Sequence, residues 1–293
     1  MYKYMREDTP DDWKIKKLQE KILEIAVYLD EFCSENDIQY CLMGGSALGA
    51  VRHKGFIPWD DDLDIFMTPD SYEKFVRLFN EKGDKNRFLL EPFGEFDNMI
   101  TLGKIRLRNT TYIESALLDY MISHNIYIDI FILHDCPDNS AKRMYQYVWA
   151  KYIIAKGQSV KDLSRYGIVM RTALNLLKCF PRLFGIKFAL KQVYKFRGQK
   201  SKYFCNYLGK AKYKRGTYKK EWFAQTKRVP FEKVTLCVPV GIEEFLSERF
   251  GDYMQLPDIE QIKREQHASI WDTEKDYKEY IKNSPTLPRK YVF

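Results

Sequence analysis

The chain has little of what a disulfide or zinc framework requires. Its six cysteines, Cys33, Cys41, Cys136, Cys179, Cys205 and Cys237, are scattered without a Cys-x-x-Cys pair. Neither a structural zinc site nor a set of disulfides is indicated, and a reducing, cytoplasmic setting is expected. Met1 to Arg6 leads into a polar, proline-containing segment rather than an apolar stretch, so no signal peptide is read. No uncharged run approaches the ~20 residues that a membrane span needs. Internal repeats, low-complexity tracts and recognised nucleic-acid-binding motifs are absent as well, and no nucleic-acid partner is expected.

What is present argues for a globular body. Hydrophobic residues make up 45% of the 293 and aromatics 15%, with 21 Tyr and 19 Phe, far from a disordered composition. The net charge of +8 is unevenly spread: Lys151 to Lys220 holds 19 Lys and Arg against one acid, Asp162. That segment carries +18 and leaves −10 for the rest, so an acidic part and a basic insertion are expected.

Thr9-Pro10-Asp11-Asp12 predicts a helix start, with Thr as N-cap, Pro at the first helical position and acids in the first turn. Ile15, Leu18, Ile22, Ile25, Leu29 and Phe32 follow at helical spacing and mark one buried face. A first strand is expected over Gln39 to Met43, a glycine turn at Gly44-Gly45, and a short helix from about Ser46. A second strand is expected over Asp62 to Met67, then a helix capped by Thr68 that runs to about Glu81. Further strands are expected at Arg87–Glu91, in a hairpin of Ile100–Arg108 with Thr111–Glu114, and at Ile126–Leu133. Ala141–Lys156 reads as helical, Ile168–Phe196 as two amphipathic helices broken at Pro181 and Gly185, Val229–Val238 as a strand and Val240–Phe250 as a last short helix. The fold class is α/β (α+β): a mixed sheet flanked by helices, with a core over residues 1–140, a basic helical insertion over 141–225 and a segment completing the core over 226–293.

The chemistry concentrates between Tyr40 and Met67. A glycine turn opening a helix lets backbone N–H groups approach a phosphate, and Ser46 adds one more donor. Asp62 and Asp64, at i and i+2 of a strand, leave one face together and are placed to hold hard divalent cations; Asp60 shares that face if the strand starts early. Four acids in five residues are more often a solvated loop, but these flank Leu63, Ile65 and Phe66, which demand burial. Asp129, a lone acid in the apolar run Ile126–Leu133, needs a reason of the same kind, since an uncompensated buried carboxylate is costly. Three acids on neighbouring strands beside a phosphate turn describe a two-metal phosphoryl-transfer site.

Gly44-Gly45-Ser46 followed by Asp62-Leu63-Asp64 resembles the fingerprint of the nucleotidyltransferase superfold. The longer run from Gly45 through Arg52-His53-Lys54-Gly55-Phe56-Ile57-Pro58-Trp59 to Ile65 resembles the LicD family of phosphorylcholine transferases. Asp129-Ile130-Phe131 and Phe250-Gly251-Asp252-Tyr253-Met254-Gln255-Leu256-Pro257 are similar to that family too, whereas residues 140 to 220 carry no matching motif. The resemblance implies a nucleotidyltransferase-like core and transfer of a phospho-alcohol, phosphocholine first, from a CDP-activated donor to a sugar hydroxyl of a cell-surface glycan or its lipid-linked precursor, with release of CMP. It implies Asp62, Asp64 and Asp129 as ligands of Mg²⁺ or Mn²⁺, with Asp129 a candidate base for the acceptor hydroxyl. Gly45 and Ser46 would hold donor phosphate.

Weaker donor-site candidates are Arg52 and His53, between the two motif halves, and Lys104 and Arg106, which share one strand face. Trp59 is a candidate wall for a quaternary ammonium, although a core anchor is its commoner role. His267 is a remote candidate on the acceptor side. The basic segment, interleaved with Phe180, Leu183, Phe184, Phe188 and Leu190, suits an element lying on an anionic membrane surface, which would place the protein peripherally at the inner face of the cell membrane. Two alternatives stand: a nucleotidyltransferase attaching NMP from NTP to a small molecule or nucleic acid, and a non-enzymatic basic membrane- or nucleic-acid-interaction protein.

Overall fold

The computed structural model describes residues 11–93, 101–114, 122–157, 182–209, 211–258 and 267–281, with isolated positions between them. Helix α1 (Lys16–Glu35) buries Leu18, Ile22, Ile25, Leu29 and Phe32, the face that the spacing marks. It starts later than its sequence signals suggest. Lys14 has φ +57, and the Asp11 carboxylate accepts from Lys16 N at 2.9 Å, so Asp11 closes a turn ahead of the helix. Thr9 and Pro10 lie outside the described residues.

The central sheet has the order β1-β2-β6-β4-β3. Its strands are β1 (Cys41–Leu42), β2 (Asp64–Met67), β3 (Phe88–Glu91), β4 (Gly103–Leu107) and β6 (Tyr127–Ile132). β2 and β6 run parallel, whereas β1–β2, β6–β4 and β4–β3 are antiparallel. The sheet is therefore mixed, as expected. Helix α2 (Gly44–Arg52) joins β1 to β2 through the loop carrying Asp60 to Asp62, and α3 (Pro69–Lys82) follows β2. Thr68 caps α3 by accepting from Ser71 N, with Pro69 at the first position, where a missing N–H costs nothing.

Three expected elements come out differently. β4 and β5 (Thr111–Ile113) form no hairpin: β5 pairs with β12 (Ile270–Asp272), and β4 lies between β3 and β6. Its end is tied across the sheet by Leu107 N donating to Ile126 O. The stretch from 226 to 239 is a hairpin of β10 (Thr226–Phe231) and β11 (Val234–Pro239), because Glu232 takes φ +55 and reverses the chain. The strand expected from Asp62 begins only at Asp64, so Asp62 belongs to the preceding loop.

Described residues between 134 and 219 build a second packed unit. β7 (His134–Cys136), β8 (Tyr203–Cys205) and β9 (Thr217–Lys219) form an antiparallel sheet. Against it lie α4 (Ser140–Gly157) and α5 (Arg182–Tyr194), around Tyr147, Ile153, Ile186, Val193 and Tyr207. α5 runs through Gly185; the first helix expected in this region, with Lys178, lies almost wholly outside the described residues. Helix α6 (Ile242–Phe250) packs Phe245 and Leu246 into the main core, and α7 (Tyr277–Ile281) follows β12. Among the described residues, no helix is long and apolar enough to cross a membrane.

Candidate active site

Parallel pairing of β2 with β6 sets Asp64, the first residue of β2, in register with Asp129, the third residue of β6. The loop before β2 brings up Asp60 and Asp62. Around them Leu63, Ile65, Phe66, Ile128 and Ile130 are buried, whereas Gly45, Asp60, Asp62, Asp64 and Asp129 keep partial exposure. The carboxylates are thus the open floor of an otherwise apolar region. Burial, then repulsion from Asp62, Asp64 and Asp61, together with a hydrogen bond to Asp62, pushes the Asp60 pKa well up. Burial and the charges of Asp62 and Asp129 do the same to Asp64, against the opposing pull of Arg249 and Lys104.

The N-terminus of α2 adjoins this floor. Gly44 has φ +54, the left-handed region that glycine enters without strain, and a Cβ on Gly45 would stand 2.9 Å from Asp60 Oδ2. The glycine pair therefore lets the helix start against the carboxylates. Ser46 Oγ accepts from Asp64 N at 2.8 Å, so this hydroxyl locks α2 to β2 and keeps its own proton to donate.

The donor-site candidates part company. Lys104 joins the floor: its ammonium is ion-paired with Asp129 and lies 3.3 Å from the centroid of the Tyr127 ring. Arg106, two residues along the same strand face, is instead buried in an ion pair with Glu91 at 2.7 Å and donates to Asn125 O at 3.0 Å. Arg52 and His53 stand at the far end of α2, ~12 Å from Gly44 at the usual helical rise. Arg52 donates to Tyr253 O (2.9 Å) and Gln255 O (3.1 Å), which ties the Phe250–Pro257 segment to the helix. Trp59 is buried edge-on between Trp13 and His53, each ring 6.2 Å away, the arrangement of a core anchor rather than a ligand cage.

His267 does reach the acidic loop. Asp61 is buried and accepts from His267 N (2.7 Å), Ala268 N (2.8 Å) and His267 Nδ1 (3.0 Å). Burial alone would raise the Asp61 pKa; these hydrogen bonds outweigh it and hold the carboxyl below its usual range. Asp61 is thus a clasp that fastens the chain before β12 to the loop, leaving Asp60 and Asp62 for the open floor.

The residues offer hard oxygen donors, which suit Mg²⁺ or Mn²⁺. The mutual repulsion that raises Asp60 and Asp64 is what a divalent charge would relieve, so the set fits such an ion by its chemistry. The expected ligand triad is not closed, however. Asp62, Asp64 and Asp129 share a field without drawing their oxygens into one tight group; among the described residues, the group with ligand atoms within 4.8 Å of one another is Asp61, Asp62 and His267. Lys104 holds one oxygen of Asp129 in an ion pair.

Sequence reasoning missed Arg249. It comes from the last turn of α6, donates to Tyr218 OH at 3.0 Å and adds its charge to the field at Asp64. Its sequence signal is no more than a cation at a helix end, next to the Phe250–Pro257 motif.

Residues 37–152 match the family described as LicD/FKTN/FKRP, nucleotidyltransferase domain. The chain is 29% identical over 273 residues to the lipopolysaccharide cholinephosphotransferase LicD of Haemophilus influenzae, covering 85% of this chain and 94% of that one. An uncharacterised protein of Rickettsia typhi is 30% identical over 115 residues, 39% of this chain and 29% of its own length. The matched stretch contains the glycine turn, the acidic loop and both parallel strands, and over it the chain resembles the LicD family.

Proposed function

We propose that this protein transfers a phospho-alcohol, phosphocholine first, from a CDP-activated donor to a sugar hydroxyl of a cell-surface glycan or its lipid-linked precursor, releasing CMP. The observation that carries this reading is the open carboxylate floor of Asp60, Asp62, Asp64 and Asp129 against the start of α2. The similarity to a lipopolysaccharide cholinephosphotransferase supports phosphocholine as the transferred group and a surface glycan as acceptor.

Asp62, Asp64 and Asp129 would hold the cation, with Asp60 within reach of Asp62. A bound divalent ion supplies Lewis-acid stabilisation of the charge that develops on the phosphorus oxygens. The N–H groups opening α2 and the Ser46 hydroxyl orient donor phosphate oxygens. The acceptor oxygen attacks phosphorus, the bond to the CMP oxygen breaks, and the acceptor proton passes to the Asp129 carboxylate, whose position is fixed by Lys104.

Incubating the protein with Mg²⁺, a panel of CDP-alcohols and candidate glycans should give acceptor-dependent CMP. Release of pyrophosphate from an NTP, without CMP from any CDP-alcohol, would overturn this reading in favour of nucleotidyl transfer.

The basic segment supports a peripheral membrane position. On α5, Lys187, Phe188 and Lys191 are exposed, as is Lys195 just beyond. The Phe188 ring packs on Trp149 at 5.2 Å, beside exposed Met144 and Tyr145 of α4. Apolar rings ringed by lysines suit an anionic lipid surface. Flotation should show binding to vesicles rich in anionic lipid that weakens with salt; equal binding to neutral vesicles, or none, would sink this placement.

A further inference from the structure

Arg249 is the one charged side chain that α6 delivers to the carboxylate floor, and the fold takes several steps to put it there. A Cβ on Gly44 would stand 3.6 Å from Arg249 Nη2, 3.8 Å from Arg249 Nε and 3.8 Å from Asp64 Oδ2. The bare Cα of Gly44 is thus the surface on which the guanidinium and the Asp64 carboxylate meet. Tyr218 OH, from β9 of the second packed unit, accepts from Nη1 at 3.0 Å and fixes the direction of the fork. Nε is buried and makes no hydrogen bond within the described protein.

A buried N–H left without an acceptor costs about 1–3 kcal/mol. Simple neutralisation of Asp64 does not explain the arrangement, because among the described residues Arg249 forms no ion pair within hydrogen-bonding distance and its Nε stays unmet. A diphosphate explains it: its oxygens match the planar fork of a guanidinium. The other cation at the floor, Lys104, is committed to Asp129. The donor therefore needs a positive group that Lys104 does not supply.

We propose that Arg249 is a donor-contacting residue whose guanidinium grips the diphosphate of the CDP-alcohol between α2 and Asp64. This role rests on the CDP-alcohol reading above. It also makes α6 part of the active site and assigns Gly44 and Tyr218 to holding the arginine in place.

The test is calorimetric titration of CDP-choline into the full chain in Mg²⁺, comparing the unmodified protein with Arg249→Gln and Arg249→Lys, each checked for folding by circular dichroism and thermal melting. Arg249→Gln should weaken donor binding at least 10-fold. Arg249→Lys, which keeps the charge but loses the fork, should fall between. The donor KM should rise in parallel, while the Mg²⁺ concentration for half-maximal activity stays unchanged. Equal affinity in a folded Arg249→Gln protein would overturn the role of Arg249 alone. If Arg249→Gln does not fold, an Arg249→Lys protein binding as tightly as the unmodified chain would overturn it equally. No binding by the unmodified chain would overturn the CDP-alcohol donor itself, and this role with it.

Discussion

Replacing Asp64 by asparagine should reduce turnover at least about 10³-fold, the scale on which positioned charges act in such sites, while the metal-free protein becomes more stable. The two effects have one cause. Asp64 stands beside Asp129 in the parallel register, and burial together with the charges of Asp62 and Asp129 pushes its pKa well up. For a carboxyl whose folded pKa lies above its unfolded value, the folded state holds the proton more tightly. Stability is therefore lost as pH climbs from the ordinary carboxylate range, ~3.9, through the raised folded value, and the whole penalty is present above it. Asparagine removes the charge with nearly the same shape and keeps the backbone bond from Asp64 N to Ser46 Oγ. Melting curves without divalent ions should then show a gain in Tm for Asp64→Asn that is small near pH 4 and larger near pH 8. Added Mg²⁺ should raise the Tm of the unmodified chain more than that of the variant. Activity retained in Asp64→Asn would refute the catalytic assignment; an unchanged pH dependence of Tm would refute the crowded-charge account.

Much of this site was legible because its signals are local. The glycine turn, the acids after it and the lone acid of the Ile126–Leu133 run lie in short stretches whose residue types already conflict with burial. The structure places Asp64 and Asp129 in neighbouring parallel strands. What each acid does was not legible. Asp61 sits inside the same acidic run, yet it faces His267 and Ala268, contributed by a segment more than two hundred residues away. No alternation along the loop encodes that partner. Lys104 and Arg106 share a strand face by simple period-two counting. Their fates diverge because Asp129 lies opposite Lys104, whereas Glu91 of β3 reaches Arg106.

The missed pairings have the same origin. Asn109 takes φ +58 and turns the chain as a hairpin would, but the partner of β5 is β12, from the far end of the sequence. Local turn chemistry announces a reversal without announcing what the returning strand pairs with. Arg249 escaped notice for a related reason. Its meaning depends on Gly44 having no side chain and on a tyrosine from the second packed unit, and neither is its neighbour in sequence.

Gly49→Ala tests the other lesson of this stretch, which is that some glycines of the motif shape the backbone rather than touch phosphate. Gly49 lies inside α2, where helix propensity alone predicts that alanine stabilises by about 0.5–1 kcal/mol. Packing predicts the opposite. After α2 the chain doubles back over Gly49: His53 N donates to Gly49 O at 2.8 Å, and a Cβ on Gly49 would stand 2.5 Å from the Gly55 carbonyl oxygen and 3.2 Å from Ile57 N. These are main-chain atoms, which have no rotamer to change, so the loop itself must move. Gly55 is held in turn by Glu232, whose carboxylate accepts from Phe56 N at 3.0 Å and fills the space where a Gly55 side chain would go. The loop is thus clamped on both sides, and it aims Asp60, Asp61 and Asp62. The expected net loss for Gly49→Ala is about 1–3 kcal/mol, the range of forced overpacking. A Tm lower by roughly 2–12 °C follows for a chain of this size. Turnover should also fall, because a displaced loop carries its carboxylates with it, while Mg²⁺ should still raise the Tm, since no ligand has been removed. Urea or thermal unfolding decides the sign: a stabilised Gly49→Ala protein would show that the crossing of α2 and the loop is loose, and that the aim of the acidic run comes from elsewhere.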